Sequence, residues 1–485
     1  MSSNSPINQI RYILFTLILC APTVFMAPVA SQEIGDRIVV TATFETLITN
    51  KKVDKVFEGN VHTITASEGK WRMLSDVKGW IPVQYLMDLE MGLKHFSKRI
   101  SQNDKDYIAF AHRGMIFHET EDYTKAFADL NRSLTINKKN AVSWMNRGMV
   151  YKAQGKMPDA ANDFRKAIQL NPKLANAHYN IGLVFYAMQD FKQSIKAYDQ
   201  AIKFDDSHST WFISRGSAKI SIDDLEGAKA DYEKANKLND RQADAHVGLS
   251  NIALLEDELD TAYKHANDAV ETQSNNAMGL NMRGWILYKQ NKIDEAIFDL
   301  TRAIRRAPKL SIAYGNRGVC YVYQNEFDKA IADHTRHHEL DPRSPFALSN
   351  RGVAWLGKGD FQKAKEDFEA AEKIAPELDE TLNGFAWFLA TCPEESYRDG
   401  KLAVTKAEMA CKSSKYKDWY QLDTLAAAHA EAGNFDDAVK WAEKALEVAP
   451  EDKKSLCTEQ LARFKDKKPC RSKVGKNAEQ SMLGS

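Results

Sequence analysis

The sequence predicts a mainly α-helical array of about ten stacked helical hairpins, preceded by a small β domain. Small residues recur every 34 residues between positions 114 and 386, and further small residues follow most of them at fixed distances. A stretch rich in β-branched residues precedes the first copy. A hairpin of this length cannot bury its apolar face alone, so neighbouring copies are expected to stack into one continuous core.

The chain begins with a segment that has the layout of a signal peptide, residues 1–31. Arg11 precedes an apolar run from Tyr12 to about Met26, and small residues follow that run. The run is short for a membrane span. We therefore expect an exported protein in the periplasm, at the cell surface or in the medium. An uncleaved anchor is the alternative, and only that alternative would hold the chain at a membrane.

Composition and motifs narrow the classes of function. Basic and acidic residues number 66 each, so no net charge attracts nucleic acid. Five cysteines follow the leader without CxxC spacing, which indicates isolated thiols rather than a metal site or a disulfide framework. The sequence contains no GxGxxG, Walker, GxSxG or HExxH motif. We therefore expect no cofactor, no metal and no catalytic activity.

Residues 36–88 predict a small β domain, because β-branched residues alternate with polar ones between short breaks. Residues 70–86, KWRMLSDVKGWIPVQYL, resemble the bacterial SH3-like barrel in Trp71, Trp80 and Tyr85. The resemblance implies a domain that binds wall peptides, peptidoglycan or other proteins. The alternative is that the two tryptophans only fill a small core.

The helical part has four predicted segments. Residues 89–106 have the apolar spacing of a single helix and are expected to form half a repeat under the first hairpin. The array itself covers 107–452. Residues 453–468 predict a capping helix, because the last copy of an array needs a polar outer face. Residues 469–485 are expected to be a disordered tail.

Each copy in the array predicts two short helices separated by a turn. One small residue per copy lies where the two helices cross closely, because a larger side chain would hold the backbones apart. These small residues are Gly114, Gly148, Gly182, Gly216, Ser250, Gly284, Gly318, Gly352, Ala386 and Ala426. Residues typical of turns mark the break between the helices at Gly155, Asp223, Asp257, Asn291, Asn325, Gly359 and Gly433.

This spacing resembles the tetratricopeptide repeat (TPR) over about residues 107–450. The family signature has a small residue at position 8, alanine at position 20, a small residue at position 27 and proline at position 32 of each unit, and it recurs here in copy after copy. The resemblance implies ten repeats in a right-handed superhelix, an α-solenoid whose concave groove binds a protein or a peptide.

An arginine at position 7 and an aspartate at position 23 occur together in six copies, and neither occurs without the other. Such co-occurrence indicates contact, and the planar guanidinium can bind a carboxylate through two hydrogen bonds. We expect six ion pairs between the two helices of one copy; an arginine ladder for acidic partners is the alternative. The pairs are Arg113–Asp129, Arg147–Asp163, Arg215–Asp231, Arg283–Asp299, Arg317–Asp333 and Arg351–Asp367.

Positions 2, 5, 6, 9, 12 and 13 share the helix face that forms the groove in the family. Asparagine at position 6 resembles the ladder that holds extended peptides in the arrays of O-GlcNAc transferases, since an amide both donates and accepts. The apolar neighbours are expected to anchor a partner, or else to pack against the next helix. The groove candidates are Asn146, Met149, Tyr179, Asn180, Leu183, Tyr186, Trp285, Tyr288, Asn316, Asn350 and Trp387.

Three histidines of copy seven, His334, His337 and His338, share one helix face at a spacing that suits a metal. Two of them occupy positions that pack in the other copies, so an irregularity of the core is the favoured interpretation.

The sequence as a whole predicts an exported scaffold for protein–protein interaction that binds a protein or peptide in the groove. The alternative function is a cell-wall module, in which the SH3-like domain binds peptidoglycan or wall peptide and the array is a spacer.

Overall fold

The structure is a computed structural model that describes residues 89–240 and 242–475, and before them the backbone of seven strands. The strands are β1 Arg37–Val40, β2 Phe44–Leu47, β3 Val53–Val56, β4 Val61–Glu68, β5 Trp71–Leu74, β6 Trp80–Pro82 and β7 Leu86–Asp88. The predicted signal peptide lies outside the described residues.

The strands form one antiparallel sheet of five strands, in the order β6-β5-β4-β1-β7, and a separate pair, β2 with β3. Trp71 pairs with Pro82 and Met73 pairs with Trp80, so both predicted tryptophans belong to adjacent strands, β5 and β6. Tyr85 lies outside the described residues. The SH3-like barrel and its ligand stay predictions.

The helices begin directly after β7, and the described residues from Leu89 to Lys465 contain 22 of them. Helix α1 is the predicted half-repeat and α22 the predicted cap; the twenty helices between them form ten hairpins. The bounds are α1 Leu89–Gln102, α2 Tyr107–Glu119, α3 Tyr123–Ile136, α4 Ala141–Ala153, α5 Met157–Leu170, α6 Ala175–Ala187, α7 Phe191–Phe204, α8 Ser209–Ile220, α9 Leu225–Leu238, α10 Ala243–Leu255, α11 Leu259–Thr272, α12 Ala277–Lys289, α13 Ile293–Arg306, α14 Ser311–Tyr323, α15 Phe327–Leu340, α16 Pro345–Lys358, α17 Phe361–Ile374, α18 Asp379–Thr391, α19 Gly400–Ser413, α20 Trp419–Glu431, α21 Phe435–Val448 and α22 Lys454–Lys465.

The chain divides into two compact units, one ending at Leu238 and the other beginning at Asn239. Repeats one to four, α2 to α9, belong to the first unit, and repeats five to ten, α10 to α21, belong to the second. Within the described residues, no helix has both the length and the apolar character that crossing a bilayer requires.

In seven hairpins the small residue is a glycine that lies against a large side chain of the second helix. A Cβ on Gly148 would lie 2.8 Å from a ring carbon of Phe164, and a Cβ on Gly182 would lie 2.5 Å from a ring carbon of Tyr198. Because interiors are close-packed, a larger residue would force the helices apart or push the ring from its site. This contact explains why small residues recur with the period of the repeat.

The turn between the two helices is made by one residue with a left-handed backbone. All seven residues that the sequence marks as turns have positive φ, from 59° at Asn325 to 90° at Gly359. Glu121 and Gln189, which the sequence does not mark, adopt φ of 61° at the same place in their repeats. Glycine, asparagine and aspartate tolerate this conformation better than other residues do, so the sequence signal is weak where glutamate or glutamine occupies the turn.

Gln189→Gly is expected to raise the free energy of unfolding by about 0.5–1 kcal/mol, because glycine adopts the left-handed backbone without a steric penalty. Gly155→Gln, at the same place in repeat two, should lower it by a similar amount. Urea unfolding of both variants checks this pair. Equal stability of the three proteins would show that the turn carries no strain.

Residues 470–472, which follow α22, are packed against the rest of the chain, although the sequence predicts a disordered tail from residue 469. Cys470 and Ser472 are buried, and the backbone N–H of Ser472 donates to the carbonyl of Thr391 at 2.8 Å. Arg471 Nη1 lies 2.7 Å from Glu431 Oε2. The prediction of disorder from residue 469 is therefore wrong for this stretch, because residues 470–472 close over the end of α18.

All five cysteines of the described chain are buried, and none of them forms a disulfide within the described residues. Burial raises the pKa of Cys320 and Cys411 to about 12 and that of Cys392 and Cys457 to about 11, so these thiols stay protonated near neutral pH. The prediction of isolated thiols agrees with this arrangement.

Candidate functional site

The arginines at position 7 bind within the array rather than project from it. Each of the six donates through Nε and Nη2 to both carboxylate oxygens of the aspartate sixteen residues later. The Nε–Oδ2 distances are 2.7 Å for Arg113–Asp129, Arg147–Asp163 and Arg351–Asp367, 2.9 Å for Arg215–Asp231, 2.6 Å for Arg283–Asp299 and 2.8 Å for Arg317–Asp333. These side chains therefore join the two helices of a hairpin.

The third nitrogen of each arginine, Nη1, donates to the element before its own hairpin, a contact that the sequence analysis missed. The acceptors are the side chains of Ser97, Asn131, Asp199, Asn267, Thr301 and Thr335, at 2.6–3.1 Å. The sequence does carry a signal for this contact. Position 25 holds a short acceptor before each arginine repeat, whereas Arg165, Glu233 and Glu369 occupy it before repeats that lack the arginine. One guanidinium thus links three helices and sets the register between repeats.

The predicted groove residues of the first unit are mostly engaged with the array itself. Asn180 Oδ1 accepts from Lys152 Nζ at 2.9 Å, and Asn180 Nδ2 donates to the carbonyl of Asn176. Tyr179 lies parallel to Trp211 with ring centres 5.3 Å apart, and its hydroxyl contacts Ser214 Oγ at 3.1 Å. Burial raises the pKa of Tyr179. These contacts leave the side chains of Asn180 and Tyr179 little capacity to bind a partner.

The other candidates of this unit lie at intermediate depth or pack. Asn146 is buried, while Met149 packs against the core around Phe164. Leu183 is half-buried, and Tyr186 is 38% exposed with its ring edge-on to Phe191. Tyr186 is thus the most accessible of the candidates in repeats two and three.

The second unit contains a cavity of about 610 Å³ on the face of its first helices. Residues of α12, α14, α16 and α18 line it, together with the start of α20 and the C-terminal part of α15. Three of the predicted groove residues line this cavity: Trp285, Asn316 and Asn350. The structure therefore brings part of the predicted set together in repeats six to nine.

Asparagines contributed by successive first helices line the cavity. Asn316 Nδ2 donates to Asn281 Oδ1 at 3.0 Å, which joins α14 to α12. Asn350 follows on α16, and Asn383 follows on α18. The side chain of Asn383 is 98% buried, and within the part of the chain that the structure describes neither its amide oxygen nor its amide nitrogen has a hydrogen-bond partner.

Asn281 and Asn383 are not among the predicted groove residues, because the prediction considered asparagines at position 6 of each repeat only. Both residues occupy position 5, which lies on the same helix face. A set of asparagines that occupies either position 5 or position 6 of repeats six to nine was therefore visible in the sequence.

Two predicted groove residues belong to the core instead. Trp387 is only 5% exposed and lies in the core cluster of repeats seven to ten, because α20 packs against α18 at this point. Tyr288 is buried, with its ring stacked on Trp285 at 5.1 Å between centres. Their placement in the groove is wrong, since an aromatic ring at positions 9 or 12 can turn towards the next hairpin.

Carboxylates surround the asparagines of the cavity. Asp341, Asp379, Glu380 and Asp418 line it, and among the residues that line it there is no lysine or arginine. Partial desolvation and the hydrogen bond with Asp379 raise the pKa of Glu380 to about 7. The same hydrogen bond, with help from Ser413 and Gln421, holds the pKa of Asp379 below its usual value.

Two histidines of repeat seven lie against glycines of α14: His334 takes the place that a large core side chain has in most other repeats, and His337 takes a place that holds a small residue elsewhere. A Cβ on Gly318 would lie 2.6 Å from His334, and a Cβ on Gly315 would lie 2.7 Å from His337. His334 is fully buried and has no hydrogen-bond partner among the described residues, and burial lowers its pKa to about 3. His334 and His337 are thus packed as core side chains, in keeping with the favoured interpretation of the sequence.

A different group of residues, in repeat five, comes closest to metal-ligand geometry in the described chain. His246, His265 and Asp268 offer ligand atoms within 4.8 Å of one another. The Nδ1–Oδ2 distances to Asp268 are 3.8 Å and 4.0 Å. Atoms bound to one tetrahedral zinc lie about 3.4 Å apart, so the group would have to contract to hold it.

The stacked hairpins with their interlocking arginines define an α-solenoid repeat protein. The particular class is the tetratricopeptide repeat, and the chain is a TPR protein. Models described as "Tetratricopeptide repeat" or "TPR repeat" match residues 108–140, 148–189, 175–208, 277–310, 311–344, 345–378 and 420–449. The search of curated proteins returns no match.

Solved structures of similar fold include a tetratricopeptide repeat protein from Parabacteroides merdae. It is 16% identical, with a TM-score of 0.45 over 51% of this chain and 98% of that one. YrrB, described as a TPR protein with an unusual peptide-binding site, is 23% identical, with a TM-score of 0.28 over 39% and 97%. Yeast Tom70 is 14% identical, with a TM-score of 0.37 over 78% and 92%.

Proposed function

We propose that this protein is an interaction scaffold that binds an extended peptide segment of a partner in the cavity of repeats six to ten. The single observation that carries this proposal is Asn383, which lines the cavity and whose buried side-chain amide has no hydrogen-bond partner within the described residues. A buried amide without a partner costs stability, so its retention at a cavity wall favours a ligand that completes its hydrogen bonds.

An extended peptide suits this wall chemically. Its backbone offers an N–H and a C=O at each residue, and an asparagine amide can donate to one and accept from the other. Asn316 and Asn350 lie on the preceding first helices, so similar groups recur along the cavity. The volume of about 610 Å³ falls within the range of about 300–1,000 Å³ usual for ligand sites.

The cellular setting of this scaffold follows from the sequence of residues 1–31, from which we infer export. The partner would then be another exported or surface protein. The alternative function, with the array as a spacer for a domain that holds peptidoglycan, gains no support from the backbone described for β1 to β7. The proposal assigns no catalytic step to the protein.

Asn383→Ala is expected to weaken peptide binding about tenfold, because one or two net hydrogen bonds contribute ~1–2 kcal/mol. Peptides would first be selected by panning random dodecapeptides on phage against the full chain, and their dissociation constants measured by fluorescence anisotropy. Asn162→Ala, on the exposed side of α5, is the matched control and should bind as the unchanged protein does. Circular dichroism melting would show that both variants are folded.

Two outcomes would contradict the proposed function. Panning could enrich no peptide, or it could enrich peptides whose binding is the same for Asn383→Ala and for the unchanged protein. In either case the cavity would not be a peptide site.

A further inference from the structure

The charge of the cavity differs from that of the chain as a whole. The chain has no formal net charge, yet four carboxylates line the cavity, and the residues that line it include no lysine or arginine. Asp341 lies at the end of α15, Asp379 and Glu380 begin α18, and Asp418 precedes α20. Three separate segments therefore contribute carboxylates to the same cavity.

Within the described residues the three aspartates are bound by uncharged groups, whereas Glu380, with a pKa of about 7, carries only part of a negative charge near neutral pH. Asp379 accepts hydrogen bonds from Ser413 and Gln421, which are uncharged. Asp418 accepts from the backbone at the start of α20, and Asp341 accepts from the backbone N–H of Arg343. Within the described residues none of the four forms an ion pair. The aspartates at position 23, by contrast, each bind an arginine.

Buried polar side chains without hydrogen-bond partners are a second and independent observation that favours a ligand in this cavity. Among the described residues, neither the amide of Asn383, which is 98% buried, nor Nδ1 of His337, which is 92% buried, has a hydrogen-bond partner. Both side chains line the same cavity as the carboxylates. The site thus combines polar groups that suit the backbone of a bound peptide with negative charge that suits basic side chains of that peptide.

We propose that the segment bound in this cavity is cationic, an extended stretch of a partner that carries lysine or arginine side chains. This inference rests on the proposed function and adds the chemical class of the ligand. The asparagines bind the backbone of the segment, and its ammonium or guanidinium groups bind Asp341, Asp379 and Asp418. An acidic segment is repelled by the same carboxylates, which therefore also exclude wrong partners.

The test uses two kinds of peptide with the full chain. The dodecapeptides that panning enriches are scored for net charge. A capped peptide of alternating lysine and serine is then compared with its glutamine and glutamate counterparts. We expect enriched peptides to be basic, the lysine peptide to bind more tightly than the glutamine peptide, and the glutamate peptide not to bind. Added salt should weaken the binding of the lysine peptide, because salt screens the attraction between lysine side chains and carboxylates.

The variant that tests the carboxylates is the triple change Asp341→Asn, Asp379→Asn and Asp418→Asn. The asparagine side-chain oxygen can still accept the local hydrogen bonds, so the caps of the helices are kept. The matched control neutralises three exposed carboxylates outside the cavity, by Glu366→Gln, Glu377→Gln and Glu447→Gln. We expect the triple variant to bind the lysine peptide at least tenfold more weakly and the control to bind it almost unchanged.

The outcomes separate this inference from the proposed function. Enriched peptides that are neutral or acidic, and that still lose affinity with Asn383→Ala, would overturn the cationic ligand and leave the peptide site intact. Equal loss in the triple variant and in its control would also overturn it, because the attraction would then be general rather than local. If no peptide of any charge depends on Asn383, both proposals fail.

Discussion

Asp163→Ala is expected to lower the free energy of unfolding by about 2–4 kcal/mol, the largest loss that we predict for a single polar contact. The change removes the carboxylate that binds Nε and Nη2 of Arg147 and leaves a guanidinium whose side chain is only 18% exposed. Breaking a buried pair from one side is costly because the remaining charge is desolvated without compensation. Part of the usual cost is relieved here, since Asn131 still accepts from Arg147.

The chain itself supplies the control for this change. Repeat three carries Ile181 and Ala197 at the two positions, and both are buried. The double variant Arg147→Ile with Asp163→Ala copies that solution and is expected to recover most of the loss, because no charge is left unpaired.

Urea unfolding of the full chain, with amide hydrogen exchange followed in α4 and α5, would measure both proteins. A double variant no more stable than Asp163→Ala alone would mean that the ion pair does not account for the loss.

His334→Leu is expected to stabilise the protein by about 1–3 kcal/mol at neutral pH and by more in acid. The imidazole is fully buried, neither ring nitrogen has a hydrogen-bond partner in the described chain, and such groups are costly in a core. Leucine already fills the same place in two repeats, where Leu130 packs on Gly114 and Leu300 packs on Gly284.

The effect in acid follows from the pKa of His334. Burial, with help from His337 and Arg351, lowers it to about 3 in the folded chain, whereas the unfolded chain takes up the proton near pH 6.5. Between these values the unfolded state binds more protons, so stability falls as the pH falls from about 6.5 towards 3. One such histidine contributes a slope of up to about 1.4 kcal/mol per pH unit.

Urea unfolding between pH 7 and pH 4 would test this prediction. His334→Leu should show a shallower loss of stability in acid than the unchanged protein. His178→Leu is the control, because His178 lies at intermediate depth and contacts the carbonyl of Pro172 at 2.9 Å. Parallel pH profiles for His334→Leu and the unchanged protein would rule out a buried neutral histidine.

The repeating parts of the fold could be predicted from the sequence, because the ten copies can be compared with one another position by position. The period of 34 located the hairpins, and all seven marked turn residues have positive φ. The arginine–aspartate pairs could be inferred because six copies hold both residues and four hold neither. The link from each arginine to the preceding hairpin was missed, although short acceptors at position 25 marked it.

The candidate site was predicted only in part, because it depends on departures from the repeat. Position 6 led to Asn316 and Asn350, but Asn383 lies at position 5 of a repeat that has glycine at position 6. Trp387 has the position of a groove residue and is nevertheless buried, since the following first helix packs over it. Copies that differ from the consensus cannot be placed by comparison with those that follow it.

By itself the sequence determined the class of fold, the bounds of most hairpins and the ion pairs within them. These features depend on contacts at fixed separation along the chain, which recur and can therefore be recognised. The tertiary structure alone decided which first helices line the cavity, that four carboxylates and no lysine or arginine line it, and that Asn383 lines it without a hydrogen-bond partner in the described chain. Those properties arise where residues far apart in the chain approach one another, and such contacts do not recur at a fixed spacing that the sequence would reveal.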